Sequence, residues 1–383
     1  MAEGALGGQG CLIGQQAFSG AAFCFDPWVL YAKGLLRGPS MVIAGQVGHG
    51  KSALVKTYAY RQAMFGRRIV VVDPKGEYAP LCEAYDTRPV RLEPGGTQRL
   101  NPLEVGTTPA GRVSLLAALL GTALGRDLGP EERAAVAAAL QAAARNAGPP
   151  TLPLVGEALL APTPAAATEL GTTIEQLAAE GRACALALRD LNAGALAGMF
   201  DGPTSIDVDL TAPVVAFDIS RVPVAARPIV MACVAAWLEP RLQAGDRRTI
   251  FVLDEAWALV ANPSVAEFLQ RLWKLARSLG VQNILVVHRL TDLVAAGDEG
   301  SRVSQIARGL LSESETVVIL RQDPADLATT RTLLGLTDSE VERVTDLPAH
   351  AALWRVGRRS LLIEHRITTT EAPLVDTDQR MHT

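Results

Sequence analysis

Residues 42–58, "VIAGQVGHGKSALVKTY", decide how the rest of the chain is read. Gly45 is followed, after four residues, by Gly50, Lys51 and Ser52, with the apolar "SMVIA" in front and a helix-compatible run behind. That is the strand, loop and helix context of a phosphate-binding loop. The glycines let backbone N–H groups converge on phosphate oxygens, the new helix turns its positive end toward them, and Lys51 adds a point charge near the β and γ groups. Ser52 is the expected Mg2+ ligand. Gln46, Val47, Gly48 and Ala53 complete the loop that would touch the nucleotide, and His49 within it is read as incidental to the chemistry.

Outward from the loop, β-branched runs alternate with helical patterns. "RRIVVVD" (67–73), "PVVAFDIS" (213–220), "TIFVLDE" (249–255), "NILVVH" (283–288) and "ETVVIL" (315–320) each read as a buried strand,. Their nearly continuous apolar character implies a mostly parallel sheet covered by helices on both faces. Between "RLNPLE" (99–104) and "FDGPTS" (200–205) the β-branched runs give way to Ala- and Leu-rich helical stretches, broken at "GPPTLPL" (148–154). The expected division is therefore a discontinuous α/β unit, 1–106 with 202–383, and an inserted all-α part, 107–201. There is no internal repeat, and the polar tail after about residue 367 is expected to fray,.

A phosphate loop needs a second strand that brings acidic groups to the metal and to the attacking water. "TIFVLDEAW" ends in that pair: Asp254 would hold Mg2+ through water and Glu255 would polarise the nucleophile,. A glutamate directly after this aspartate marks ATPases that place an extra strand between the phosphate-loop strand and the acidic strand. The chain lacks an Asn-Lys-x-Asp guanine signal and a Leu-Ser-Gly-Gly-Gln signature.

Composition sets outer limits. The chain has 383 residues, 49% of them hydrophobic, which suffices for one large domain or two ordinary ones,. A net charge of −4 argues against a protein held on nucleic acid by bulk electrostatics,. Lysine occurs only at positions 33, 51, 56, 75 and 274, a scarcity read as genomic bias. The five scattered cysteines suggest neither a disulfide framework nor a zinc site, and a reducing cytoplasm fits them,. The longest apolar run, "IVMACVAAWL" (229–238), is far short of the roughly 18 to 20 residues of a membrane span,. "MAEGALGGQG" has no basic start and no apolar core, so it is not read as a secretory signal,. The five tryptophans are read as packing residues rather than adenine stackers.

Together, "GQVGHGKS", "VVVDPKGEY" (70–78), "NPLE", "LAGMFDGPTS", "FDIS", "DEAW" and "LRQDP" (320–324) resemble, in order and spacing, the HerA/FtsK-superfamily ATPases of type IV secretion and conjugation. Within that superfamily the chain looks most like the VirB/TraC-type secretion ATPase, from about residue 22 to residue 365. "DPKGEY" and "DEAW" are the discriminating pair. The resemblance implies a RecA-like motor core, α/β with an inserted all-α part, that binds ATP and Mg2+ and hydrolyses ATP between the subunits of a homo-hexamer. It implies a cytoplasmic protein, or one recruited to the inner face of the membrane by secretion-channel components, with DNA as a further candidate partner. A monomer in isolation is the alternative oligomeric state. Two departures stand out. Family members carry a large N-terminal docking domain, whereas this chain begins almost at the motor, as a fragment or short variant would. The family's γ-phosphate-sensing glutamine, at the end of the strand after the acidic pair, is replaced by His288, which can still donate a hydrogen bond.

The family pattern also places Asp73, Lys75 and Glu77 at the carboxyl end of the strand next to the phosphate loop, where ligands collect in such sheets, with Asp73 among the nucleotide-contacting residues. Phosphoryl transfer further needs a positive charge opposite the γ oxygens. No arginine is read as adjoining the phosphate loop or the acidic strand to serve from within, so the expected finger comes from a neighbouring subunit. Arg277 in "RLWKLARSLG" and Arg321 in "VVILRQDP" are the candidates. Two other readings remain: a DNA translocase or coupling ATPase of the same superfamily, and an ATP-binding scaffold that does not turn over.

Overall fold

The apolar runs read from the sequence become strands of one sheet. The computed structural model describes residues 6–104, 108–145, 148–194, 196–204, 210–243, 245, 247–255, 263–291 and 302–376. In chain order its strands are β1 (Cys11–Gln16), β2 (Ala22–Phe25), β3 (Met41–Ala44), β4 (Arg68–Asp73), β5 (Val90–Arg91), β6 (Val214–Asp218), β7 (Thr249–Leu253), β8 (Val281–Val287), β9 (Thr316–Ile319), β10 (Ala351–Val356) and β11 (Arg359–His365). They lie in the order β2-β1-β11-β10-β9-β3-β8-β7-β4-β6-β5. β9, β3, β8, β7 and β4 run parallel to one another, so their carboxyl ends emerge on one edge. β8 separates the phosphate-loop strand β3 from the acidic strand β7, as the Asp-Glu pair implied.

The chain divides into two compact units. The first comprises Met1–Pro89, Asp209–Ala216 and Asp246–Thr383; the second comprises Val90–Val208 and Phe217–Gly245. The second unit takes in the expected helical insertion and, outside the boundaries read from the sequence, β5 and a further helix.

In the first unit, period-two alternation feeds two cores. Helix α2 (Lys51–Met64), which lies between α1 (Pro27–Ala32) and α3 (Ala79–Glu83) in the chain, lays Leu54, Val55, Tyr58 and Ala59 over a face built from Ile43, Ile69, Val71, Val252, Ile284 and Val286. The opposite side of β9 and β10 presents Val317, Ile319, Ala351 and Leu353 to a smaller core with Leu327 and Val344. Those two residues come from Pro324–Leu334 and Asp338–Thr345. Helices therefore cover both faces, and the sheet is mixed with a parallel centre.

Beyond β9 lies an antiparallel extension that the sequence reading did not foresee: β10, β11, β1 and β2. Its core is aromatic. The Trp354 ring sits 5.1 Å from Phe23 and 5.3 Å from Phe25, and its Nε1 donates to His365 Nε2 at 2.9 Å. The tail is also better tied than expected. Arg61 Nε pairs with Glu371 at 2.5 Å, and Leu374 in the short helix Ala372–Val375 is buried. Residues from 377 onward lie outside the described residues.

The second unit is a helical bundle: α4 (Pro109–Leu124), α5 (Pro130–Ala143), α6 (Leu152–Leu160), α7 (Pro164–Glu169), α8 (Ile174–Ala193) and α9 (Arg227–Gln243). Thr108, Thr151, Thr163 and Thr173 start four of these helices, each hydroxyl accepting a backbone N–H of the first turn,. α6 packs against α5 and α8. β5 pairs in parallel with the last residues of β6, Phe217 and Asp218.

Burial, reinforced by His350 and Arg61, pushes His365 down to about 3. An unfolded histidine titrates near about 6.5, so below that pH the unfolded chain takes up a proton that folded His365 refuses. Stability should therefore be complete above about pH 6.5 and should decline as the pH falls toward 4. His365→Gln keeps an acceptor for Trp354 and should show a smaller fall in urea midpoint between pH 7.5 and 4.5. An equal fall in both proteins would exclude a neutral buried His365.

Candidate nucleotide-binding site

Each central strand delivers one functional group at its carboxyl end, the edge where ligands bind in parallel sheets. β3 leads into the phosphate loop, β4 into "DPKGEY", β7 into Asp254 and Glu255, β8 into His288, and β9 into Arg321.

The loop's conformation depends on its glycines. A Cβ on Gly45 would stand 2.6 Å from Leu320 Cβ, so only glycine lets the loop lie against the end of β9. Gly50 has φ +93°, and a Cβ there would approach His350 Nδ1 at 3.0 Å. Gln46 N donates to the Arg321 carbonyl at 2.9 Å, and Gln46 Nε2 reaches Asp323 at 3.4 Å. Gly50 caps α2 without a side chain, which leaves the first-turn N–H groups to a ligand,. Val47 and Gly48 are exposed, while Ser52 and Ala53 are half-buried. His49 lies close enough to Arg321 and Lys51 for both to add to the burial that lowers its basicity.

Lys51 is buried, with its ammonium folded onto the carbonyls of Gly45 and Gln46, the latter at 2.7 Å. Burial and the nearby Lys75 depress it to about 8, against the pull of Asp254 and Glu255. It therefore still carries its charge at neutral pH.

The acidic pair has split properties. Asp254 is 3% exposed; its Oδ1 accepts the Glu255 N–H at 2.9 Å, and its Oδ2 is buried without a hydrogen-bond partner. Burial pushes its pKa up. A buried carboxylate oxygen lacking a partner fits a site for a hydrated cation. No cluster of three His, Cys, Asp or Glu residues that could hold a metal occurs among the described residues. Mg2+ leans on phosphate oxygens, a hydroxyl and water rather than on a protein cage. Ser52 and Asp254 are the residues that would hold it.

Glu255 sits at φ +51°. Its Oε1 lies 3.3 Å from His288 Nε2 and 3.1 Å from Lys75 Nζ. The carboxylate accepts, which assigns the proton of the first contact to Nε2. Hydrogen bonding from His288, opposed by burial and helped by Lys75, pulls Glu255 down to about 2. Ala256 and Trp257 of "DEAW" lie outside the described residues.

Asp73 turns its carboxylate to its own loop, accepting from the N–H groups of Lys75 and Gly76 on Oδ1 and of Tyr78 on Oδ2 at 2.9–3.1 Å. It thus orders "DPKGEY". Lys56, which sequence reasoning passed over, is fully buried 3.6 Å from Glu77 and lies over the Tyr78 ring.

The two arginines separate. Arg321 adjoins the phosphate loop of its own chain, which corrects the expectation that no arginine does so: β9 pairs directly with β3, a neighbourhood set by sheet order and not by sequence distance. Arg277 is exposed at the far edge, lining a cavity of about 330 Å³ with Arg37 and Ser40 just before β3. It cannot reach the nucleotide position of its own chain.

The chain superposes on VirB4 of Thermoanaerobacter pseudethanolicus with a TM-score of 0.76 and 23% identity, covering 96% of this chain and 99% of that one. It matches the plasmid coupling protein TrwB in complex with ADP and Mg2+ at TM-score 0.63 and 17% identity, covering 86% and 85%. The fold is that of the RecA-like P-loop ATPases. A curated relative, the type IV secretion system protein CagE of Helicobacter pylori (strain ATCC 700392 / 26695), is 30% identical over 99 residues. That segment is 26% of this chain and 9% of the relative's length. No protein-family model matches the chain.

Gly45→Ala should destabilise the protein by about 1–3 kcal/mol through overpacking against Leu320, read as a lower urea midpoint. An unchanged midpoint would mean that the loop moves away from β9 at no cost.

Proposed function

We propose that this chain is the ATP-hydrolysing motor of a type IV secretion or conjugation system, acting as a ring of six copies. The observation that carries the reading is the convergence of the phosphate loop, "DPKGEY" and the Asp254–Glu255 pair at one sheet edge, with β8 inserted between β3 and β7. The likeness to VirB4 over nearly the whole chain and the local identity to CagE supply the secretion context. Partners would be further copies of the chain and components of the secretion channel, with DNA as a candidate. No helix among the described residues is long and apolar enough to cross a membrane. A place in the cytoplasm, or at the inner face of the membrane through partners, belongs to the same proposal.

In this reading, Gln46 to Ala53 and the start of α2 cradle the phosphates, and Lys51 leaves its loop carbonyls for the β and γ oxygens. Ser52 and Asp254 would hold Mg2+, which would supply charge neutralisation at the phosphates. Glu255 polarises the attacking water, and His288 orients that carboxylate. Asp73 serves the nucleotide by fixing the loop that carries Lys75. A scaffold that never turns over would leave the Glu255 carboxylate, held beside His288, without a use. The TrwB likeness favours a second reading, a DNA-pumping or coupling ATPase. Turnover measured against protein concentration, with and without single- and double-stranded DNA, separates them: DNA stimulation favours the pump, and concentration dependence alone favours the assembly-activated motor.

Lys51→Ala should abolish nucleotide binding or turnover. Glu255→Gln should retain ATP yet lose about two orders of magnitude or more in turnover, the scale of a general-base contribution. Hydrolysis near the parent rate in either variant would remove the corresponding role.

The arginines give a sharper test. Arg277 is suited to serve the neighbouring subunit, and Arg321 its own. Mixing inactive Arg277→Ala with inactive Lys51→Ala should restore hydrolysis at interfaces where an intact Lys51 meets an intact Arg277. Mixing Arg321→Ala with Lys51→Ala should restore none, since no site would hold both groups. Absence of recovery with Arg277→Ala, after subunit exchange is verified, would count against a ring that depends on that arginine.

A further inference from the structure

Two ammonium groups share the cleft. Lys75 contributes to the depression of Lys51, so the two charges lie within electrostatic reach of each other,. Each is held on a substitute acceptor: Lys51 on the carbonyls of Gly45 and Gln46, Lys75 on Glu255 Oε1 at 3.1 Å. Burial would lower Lys75, but Asp254, Glu255 and Glu77 outweigh it and keep the group firmly charged. The backbone under Lys75 is fixed by the three bonds that Asp73 accepts. The stem beyond it turns on single bonds, so the ammonium can change partner while the loop stays still.

The opposing carboxylate is fixed as well. Asp254 Oδ1 accepts the Glu255 N–H, and Glu255 stands in a left-handed conformation that directs its side chain to Lys75 and His288. Lys75 and His288 meet the same oxygen, Oε1. A water to be deprotonated by that oxygen has to compete with an ammonium already there.

We propose that Lys75 is a latch with two anionic partners: Glu255 while the terminal phosphate position is empty, and the terminal phosphate of a nucleoside triphosphate once it is filled. On transfer, Oε1 of Glu255 is released to water, with His288 still orienting the carboxylate. A nucleoside diphosphate ends one phosphate short, so Lys75 stays on Glu255 and the carboxylate stays neutralised. The latch makes Lys75 the residue that tells triphosphate from diphosphate, a role additional to the charge of Lys51. It rests on the phosphate-loop reading above.

The test is binding, without turnover. The full chain, Lys75→Met, Glu255→Gln and the double variant are titrated with a non-hydrolysable ATP analogue and with ADP, each with Mg2+. Met keeps the aliphatic stem, and the Glu255→Gln arm does not depend on how Lys75→Met folds. Loss of one charge-assisted contact should weaken the analogue about ten- to hundred-fold in Lys75→Met and ADP by less than about three-fold. Glu255→Gln releases the ammonium, so the analogue should bind more tightly with ADP unchanged, and this gain should vanish in the double variant. Equal losses for both nucleotides, no loss for the analogue, or a gain that survives without Lys75 would each overturn the latch. A parent chain that binds neither nucleotide would overturn the phosphate-loop reading itself, whereas a parent that binds both, with an unchanged ratio in Lys75→Met, would overturn the latch alone.

Discussion

Charge compensation at the carboxyl edge of the sheet is the constraint on which the candidate site depends. Lys51, Lys56 and Lys75 meet Glu77, Asp254 and Glu255; Lys51, Lys56 and Asp254 are buried, where an isolated charge would be strongly disfavoured, while Lys75, Glu77 and Glu255 stand at the open side of the cleft,. Lys56, fully buried, is tolerable because Glu77 lies 3.6 Å away and the Tyr78 ring faces it. Glu255 stays ionised because His288 and Lys75 reach it, while Asp254, with one oxygen lacking a partner, is pushed toward its neutral form. The cleft is thus balanced but not satisfied. Its two deficits, an anion between the lysines and a cation beside Asp254, are what a nucleotide with Mg2+ would provide.

The phosphate loop, the acidic pair and five of the strands were legible because their signals are local: glycine spacing, β-branched runs and a terminal Asp-Glu. Even the strand between β3 and β7 followed from the glutamate after Asp254. The lysine geometry was not legible in that way, although a trace of it lay in the composition. Of five lysines in an arginine-rich chain, three, at positions 51, 56 and 75, fall in the cleft. A compact ammonium on a flexible stem and a planar guanidinium are not interchangeable at such positions.

What escaped the sequence was non-local. The strands β10, β11, β1 and β2 join residues from both ends of the chain, and their registry rests on an aromatic cluster around Trp354 that no periodicity in either segment announces. The alternation in "AALWRV" and the Gly357 turn at φ +58° were the available hairpin signals,. The nearness of Arg321 to the phosphate loop escaped for the same reason. The residue is remote from Gly45 in sequence, yet β9 pairs with β3, so its carbonyl bonds Gln46. Parallel sheets bring together residues whose sequence separation is set by intervening helices, and sequence adjacency is a poor guide to which side chains share an edge.

Glu255 shows how the fold holds a group in readiness. A left-handed conformation in a non-glycine residue is disfavoured by about 1–3 kcal/mol and persists only where its surroundings over-determine it. Here they do: Asp254 takes its N–H, His288 and Lys75 take its carboxylate, and β7 fixes the residues before it. Relaxing the backbone to an extended form would forfeit all three contacts. The strain is therefore tied to the same charges that hold the empty site together. Because the backbone of the "DPKGEY" loop and the end of β7 are both pinned, a change of ligand is absorbed by the element left mobile between them, the Lys75 side chain, and not by the sheet.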